Sequence, residues 1–308
     1  MRAAYDCVVF GHGPAACLAA SVIAARGFRA LLVREAVSAS TWSRHLLLPR
    51  AALSLPAFAA LGINELQLDA AADRSLAIDY DGVQERHWLL AGARLAEMCL
   101  ERGRAHGLTI TESPRGCHDL AATLRIDTAP AVSAGERFDL AISGAYRQVN
   151  LATLADDTTG LVIDSPSGAQ FWLVPINDEL TNLGLILPDV ARGRVRDTAS
   201  IWEDELVSCQ PLVERLLEAE LVGAFVAERI PRANIELSTE PCDTIQLREC
   251  HFPVPYPMAW PSPWQALETA VAAIDRLEKS SGQPTQNTPH AELDGSFQLR
   301  KMPSLRPR

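Results

Sequence analysis

The residues whose types and spacing point most directly to chemistry lie near the start of the chain, at Gly11-His12-Gly13-Pro14-Ala15-Ala16. They follow the apolar run YDCVVF (5–10) and open the small-residue run PAACLAASVIAARG (14–27). This is the pattern G-x-G-x-x-G/A between a strand and a helix. One glycine permits a tight turn, the next lets the backbone approach a pyrophosphate, and a small third residue lets helix and strand pack closely. The helix N-terminus then presents N–H groups and partial positive charge to an anion. The chemistry predicted is cradling of a dinucleotide diphosphate. The competing reading is a glycine turn that binds nothing, and His12 reads as a space-filling or backbone-bonded residue.

Other reactive side chains form no such constellation. Cys117-His118 and Cys250-His251 are adjacent pairs; neighbours on a strand point to opposite faces, and no second pair stands at ligand spacing, so no metal site is predicted. There is no G-x-S-x-G and no P-loop. His12, His45, His87 and Arg147 are candidate pocket members, but the sequence gives none of them a partner, so no catalytic residue is named. Trp172, within QFWLVP, reads as a core aromatic. A net charge of −10 and the lack of a basic stripe argue against a nucleic-acid partner. The seven cysteines are scattered, odd in number and without CxxC, which fits a reducing cytoplasm. The uncharged stretch from Cys7 to Ala25 is interrupted by Gly11, Gly13 and Pro14 and reads as strand plus helix, so no membrane partner is expected.

These residues need a scaffold, and the sequence supplies one. YDCVVF, the following helix ending at Gly27, and RALLV (29–33) make a β-turn-α-β unit. ARLAEMCLERGRAHG (93–107) places Leu95, Met98, Cys99 and Arg102 on one helical face, and LTI (108–110) follows as a strand. FDLAIS (138–143) reads as a further buried strand, giving an α/β chain with a parallel sheet. Beyond residue 150, GLVID, FWLVPI and NLGLIL read as successive strands of an antiparallel patch, the last two joined by NDELT. Helical signals return over 200–221, followed by strands at AFVAERI (224–230) and TIQL (244–247). The five prolines of HFPVPYPMAWPSPW (251–264) predict an irregular loop. WQALETAVAAIDRLEK (264–279) is a helix with an apolar stripe of Leu267, Val271, Ile274 and Leu277. Residues 280–308 read as a disordered tail.

Taken in order, these blocks resemble the FAD-dependent monooxygenase and halogenase superfamily, with the para-hydroxybenzoate hydroxylase fold. The carriers are YDCVVFGHGPAACLAA, ARLAEMCLERGRAHGLTI, FDLAISGAYR as the strand ending in the family's ADG turn, GAQFWLVPINDELTNLGLIL, and PYPMAWPSPWQALETAVAAIDRL. The resemblance implies a glutathione-reductase-type, Rossmann-like FAD-binding domain over 1–150 and 222–279. A reduced antiparallel substrate layer is implied over 151–221. It also implies FAD phosphates on Gly11, Gly13, Pro14, Ala15 and Ala16.

Carried over by position, other anchors depart from the family. Arg34 stands where an acidic residue accepts hydrogen bonds from the adenosine ribose, with Glu35 one place late. A family arginine falls on Gly92, the ADG aspartate on Ala145 or Tyr146, and the GD pair on Glu249-Cys250. Pro257 is retained, and a family glycine becomes Ser262-Pro263. Each lost charge-assisted hydrogen bond is worth about 1.5–3 kcal/mol. Arg34 could instead meet a 2′-phosphate, as in NADP binding. With lysine only at 279 and 301, the early lysine of flavin-dependent halogenation is missing. The expectation is therefore a hydroxylase-type FAD oxidoreductase acting on a small or carrier-bound intermediate. The alternative is a non-redox relative that has lost FAD anchoring and serves as a partner or scaffold protein.

Overall fold

A computed structural model describes residues 5–11, 13–34, 45–54, 56–80, 83–112, 122–127, 137–150, 159–191, 197–231, 243–246 and 263–281. In chain order the elements are β1 (Tyr5–Phe10), α1 (Pro14–Ala25), β2 (Ala30–Val33), β3 (His45–Pro49), α2 (Pro56–Ala60), α3 (Glu65–Ala71), β4 (Arg74–Tyr80), β5 (Val83–Ala91), α4 (Gly92–Ala105), β6 (Thr109–Thr111) and β7 (Ala122–Asp127). There follow β8 (Arg137–Arg147), β9 (Thr159–Asp164), β10 (Gln170–Pro175), β11 (Thr181–Ala191), α5 (Thr198–Ser208), α6 (Gln210–Val213), β12 (Glu220–Pro231), β13 (Asp243–Gln246) and α7 (Pro263–Ser281).

The strands form two sheets. The first runs β13-β7-β1-β2-β6, with every pairing parallel. Its central strands are apolar because both faces are covered. Cys7 and Val9 face α1 and α4 in the main core, while Val8, Leu31 and Val33 make a cluster on the other side. Every residue of α1 from Ala15 to Ala24 is buried, because the helix is wedged against β1, α4 and α7. Five of those ten are alanine, which lets backbones come close. Gly103 of α4 completes the fit: a Cβ there would meet the Ser21 Oγ at 2.6 Å.

The second sheet runs β12-β8-β11-β10-β9-β4-β5-β3, antiparallel except where β4 meets β9. Leu46, Leu48, Trp88 and Leu90 join it to the main core. At its other end Leu140, Ile142, Phe171, Leu173, Leu183 and Leu185 pack under Trp202 and Leu212 of the α5–α6 region. Trp172 lies flat over Gly184 on the neighbouring strand, where a Cβ would come within 2.0 Å of the ring. Its indole N–H donates to the Asn182 side chain at 2.7 Å.

The hairpin of β10 and β11 and the helix stopped before Gly107, φ +86, stand where the sequence put them, and the strand expected over 244–247 is β13, Asp243–Gln246. FDLAIS does not. It lies within β8, in the second sheet between β11 and β12. Its apolar run is covered on both faces, as in a parallel strand, so composition alone could not separate the two. AFVAERI lies in that sheet as well, within β12, and so do β3, β4 and β5. Sheet membership therefore does not follow the expected division at residue 150. The strand that flanks β1 is ATLRID (122–127). In α7 the buried stripe is Ala270, Ala273, Ile274 and Leu277, whereas Val271 is 39% exposed, so the apolar face is rotated from the one expected.

Two stability predictions follow from this packing. Gly184→Ala is expected to cost about 1–3 kcal/mol through overpacking against Trp172. Urea denaturation should show it together with an altered near-ultraviolet circular dichroism; unchanged stability would contradict the ring's placement. His87 is fully buried on β5, its Nδ1–H donating to the Glu85 carbonyl at 3.1 Å. Burial pulls its pKa down to about 4, against an ordinary 6.5. The unfolded chain therefore takes up this proton first as pH falls, and stability present above pH 6.5 is lost on the way to pH 4. The loss is about 3 kcal/mol from 2.5 pH units of displacement. Relative to wild type, His87→Gln should lack that component between pH 7 and pH 4, and identical pH profiles would contradict it.

Candidate functional site

Where the parallel sheet ends, five residues stand in one row: Gln246, Asp127, Phe10, Val33 and Thr111, each opposite the next in register. The glycine loop leaves the middle of that row. Gly11 donates its N–H to the Val33 carbonyl at 3.0 Å and holds φ +154, a conformation that is strained for any residue with a Cβ. Gly13 is extended and serves as the N-cap of α1, with no side chain capping the helix. Its carbonyl accepts from Cys17 at 3.1 Å. Pro14 occupies the first turn, where its missing N–H costs nothing. Ala15 and Ala16 are 3% and 0% exposed, so the third position of the motif must be small for α1 to sit down on the sheet. These residues fit a diphosphate: backbone can approach closely, and the N-cap residue, Gly13, has no side chain of its own.

Arg34 follows β2 and donates its backbone N–H to the Thr111 carbonyl at 2.8 Å, which puts it on the same rim, half-buried. His12, Glu35, Glu249, Cys250, Pro257 and Ser262 lie outside the described residues. Gly92 is buried at the start of α4. Ala145 and Tyr146, where the resemblance sought an acidic residue, sit in β8 of the other sheet. Tyr146 stacks there on Trp202 with ring centroids 6.2 Å apart, and burial pushes its hydroxyl up to about 12. Among the five residues of the row the acidic one is Asp127, opposite Phe10. The alternation of ATLRID, with Leu124 and Ile126 buried, is the signal that could have found it. Arg125 obscures that signal; its guanidinium instead lies 5.9 Å from the Phe10 ring centre.

The helices around the loop share its direction. In a parallel sheet, α1 follows β1 and α4 precedes β6, so both run against the strands and start at the rim. Ser21 faces Gly103, and Cys17 lies near enough to Cys99 to reinforce the upward shift that burial gives that thiol. Both pairs differ by 82 in number, so the helices run in step and Gly13 stands level with Leu95. The first turn of α4 thus reaches to and past the mouth of the glycine loop. His45 is opposite Ala91 on β3. His87 is sealed within the second sheet, Arg147 is exposed at the end of β8, and Trp172 is a core residue of β10. Among the described residues no group of three or more His, Cys, Asp or Glu side chains could hold a metal, and no helix is long and apolar enough to cross a membrane.

A parallel sheet with a glycine loop at its rim, set against a curled, largely antiparallel sheet, is the fold of flavin-dependent halogenases and related flavoproteins. Among solved structures, the chain is similar to the myxobacterial chondrochloren halogenase CndH, with TM-score 0.60 and 17% identity over 92% of this chain and 76% of that one. It is similar to the flavin-dependent brominase Bmp2, with TM-score 0.58 and 13% identity over 91% and 80%. A geranylgeranyl bacteriochlorophyll reductase-like protein from Thermoplasma acidophilum gives TM-score 0.57 and 12% identity over 90% and 79%. No protein-family model matches the chain, and no curated protein matches it by sequence.

The loop's conformation carries its own test. Gly11→Ala is expected to lower the unfolding free energy by about 1–3 kcal/mol, the usual cost of a residue held in a glycine-only region. Equal unfolding midpoints in urea for variant and wild type would show that Gly11 does not hold that φ.

Proposed function

We propose that this chain is an FAD-dependent oxidoreductase of the aromatic monooxygenase type, acting on a small or carrier-bound biosynthetic intermediate. The observation that carries the reading is the uncapped start of α1 behind Gly11 and Gly13, at the rim of a sheet whose fold is shared with flavoproteins. Gly11, Gly13, Pro14, Ala15 and Ala16 would hold the diphosphate through backbone and helix dipole. Arg34, and Glu35 beyond it, would meet the adenosine end. Pro257 would lie toward the ring end. Bound FAD supplies electron transfer and oxygen activation, chemistry that side chains cannot provide. The chain's own contribution is to orient the substrate and exclude water from it. Halogenation is not proposed, because lysine occurs only at 279 and 301.

A second reading is favoured by Arg34 and Gly92, which stand where the family places an acidic residue and an arginine. In it the architecture persists as a partner or scaffold protein without redox chemistry.

The purified chain should show flavin absorbance or acquire it on adding FAD. FAD at a hundredfold excess over its Kd should stabilise the fold by about 2.7 kcal/mol. A colourless protein with no thermal shift in excess FAD would overturn the first reading. A shift with NADP and none with FAD would assign the rim to a 2′-phosphate on Arg34.

A further inference from the structure

The sequence offers His45 no partner; the folded chain supplies one. The Nε2 of His45 lies 3.4 Å from one carboxylate oxygen of Asp73, and the other oxygen lies 3.3 Å from Nη1 of Arg94. Arg94 also donates to the Ala71 carbonyl at the end of α3. The Asp73 backbone N–H donates to the Leu89 carbonyl at 2.8 Å, which ties the turn before β4 to β5. Asp73 is thus fixed by its backbone on one side and by Arg94 on the other, and it holds one edge of the imidazole. The nitrogen turned away from the carboxylate is Nδ1. The side chains of His45 and Asp73 are each about one-third exposed, at 31% and 33%, so the pair is neither sealed like His87 nor left loose in solvent.

Its place in the fold gives the pair a use. Arg94 is in the first turn of α4, and His45 is opposite Ala91, the residue before that helix. Because α1 and α4 run in step, with Gly13 level with Leu95, this turn stands beside the glycine loop at the rim. Packed helices lie about 8–10 Å apart, which is within the span of a dinucleotide and its substrate.

We propose that His45 and Asp73 form a proton-transfer pair at the rim of the dinucleotide crevice, with Asp73 and Arg94 as positioning residues. This rests on the flavoprotein reading above. The step is a simple exchange: a hydroxyl of the bound molecule gives its proton to Nδ1, its electron pair stays on oxygen, and the imidazolium formed is stabilised by the Asp73 carboxylate. The reverse step returns the proton.

The test is carbethoxylation by diethyl pyrocarbonate at pH 7, mapped by mass spectrometry on the full-length protein with and without FAD. His106 is an internal reference: it is exposed and follows the C-terminal end of the same helix, about 20 Å from the rim at 1.5 Å per residue. FAD should slow modification of His45 at least fivefold and leave His106 unchanged. Asp73→Asn should keep the FAD thermal shift yet cut the protection of His45 by FAD to less than twofold, because the imidazole is no longer held facing the bound molecule. A merely structural aspartate would not produce that result. If FAD binds, as shown by its bands and thermal shift, but His45 reacts at the same rate, this inference is wrong and the flavoprotein reading stands. If FAD does not bind at all, both fall.

Discussion

The arrangement depends on how closely α1 lies against the parallel sheet and against α4. That approach is possible because half of the buried positions of α1 are alanine, and because Gly103 removes a Cβ that would push α4 away. Little of the binding strength of such a contact comes from any single large side chain; it comes from continuous dispersion contact along ten buried positions. The same contact fixes where the helix begins. Once α1 is seated, its N-terminus can only emerge at the rim, where Gly11 turns the chain with a backbone angle that other residues avoid.

From this constraint the division of labour between the two sheets follows. The parallel sheet has its polar opportunities at its strand ends, in the row from Gln246 to Thr111. The second sheet has its polar groups satisfied internally: Trp172 by Asn182, and His87 by the Glu85 carbonyl. Its curl packs one face on the main core at β3 and β5, and on Trp202 at β8, β10 and β11. A rim of helix starts beside a rigid, internally satisfied sheet is a place where a ligand can be held without the scaffold having to move.

The sequence revealed the parts governed by local rules and hid those governed by partnership. The glycine loop, α1, β2, α4 and the β10–β11 hairpin were legible because turn chemistry and periodicity are properties of short stretches. FDLAIS was placed in the wrong sheet because a strand covered on both faces has the same composition whether its neighbours run parallel or antiparallel. Asp127 was missed because Arg125 breaks up the apolar run expected of a central strand, and only the folded chain shows that Arg125 lies over Phe10. His45 had no visible partner because Asp73 is 28 residues away and meets it through a turn that local sequence does not specify. Val271 faces solvent because α7 rotates to bring Ala270 and Ala273, together with Ile274 and Leu277, into the core.

The central claim is that the backbone from Gly11 to Ala16 grips a diphosphate. A high-resolution crystal structure of the protein grown with FAD tests it most directly. The account predicts two linked phosphoryl groups within hydrogen-bonding distance of amides at the start of α1, with the adenosine lying toward Arg34. A crevice filled by the chain's own side groups, or FAD bound elsewhere on the surface, would contradict it.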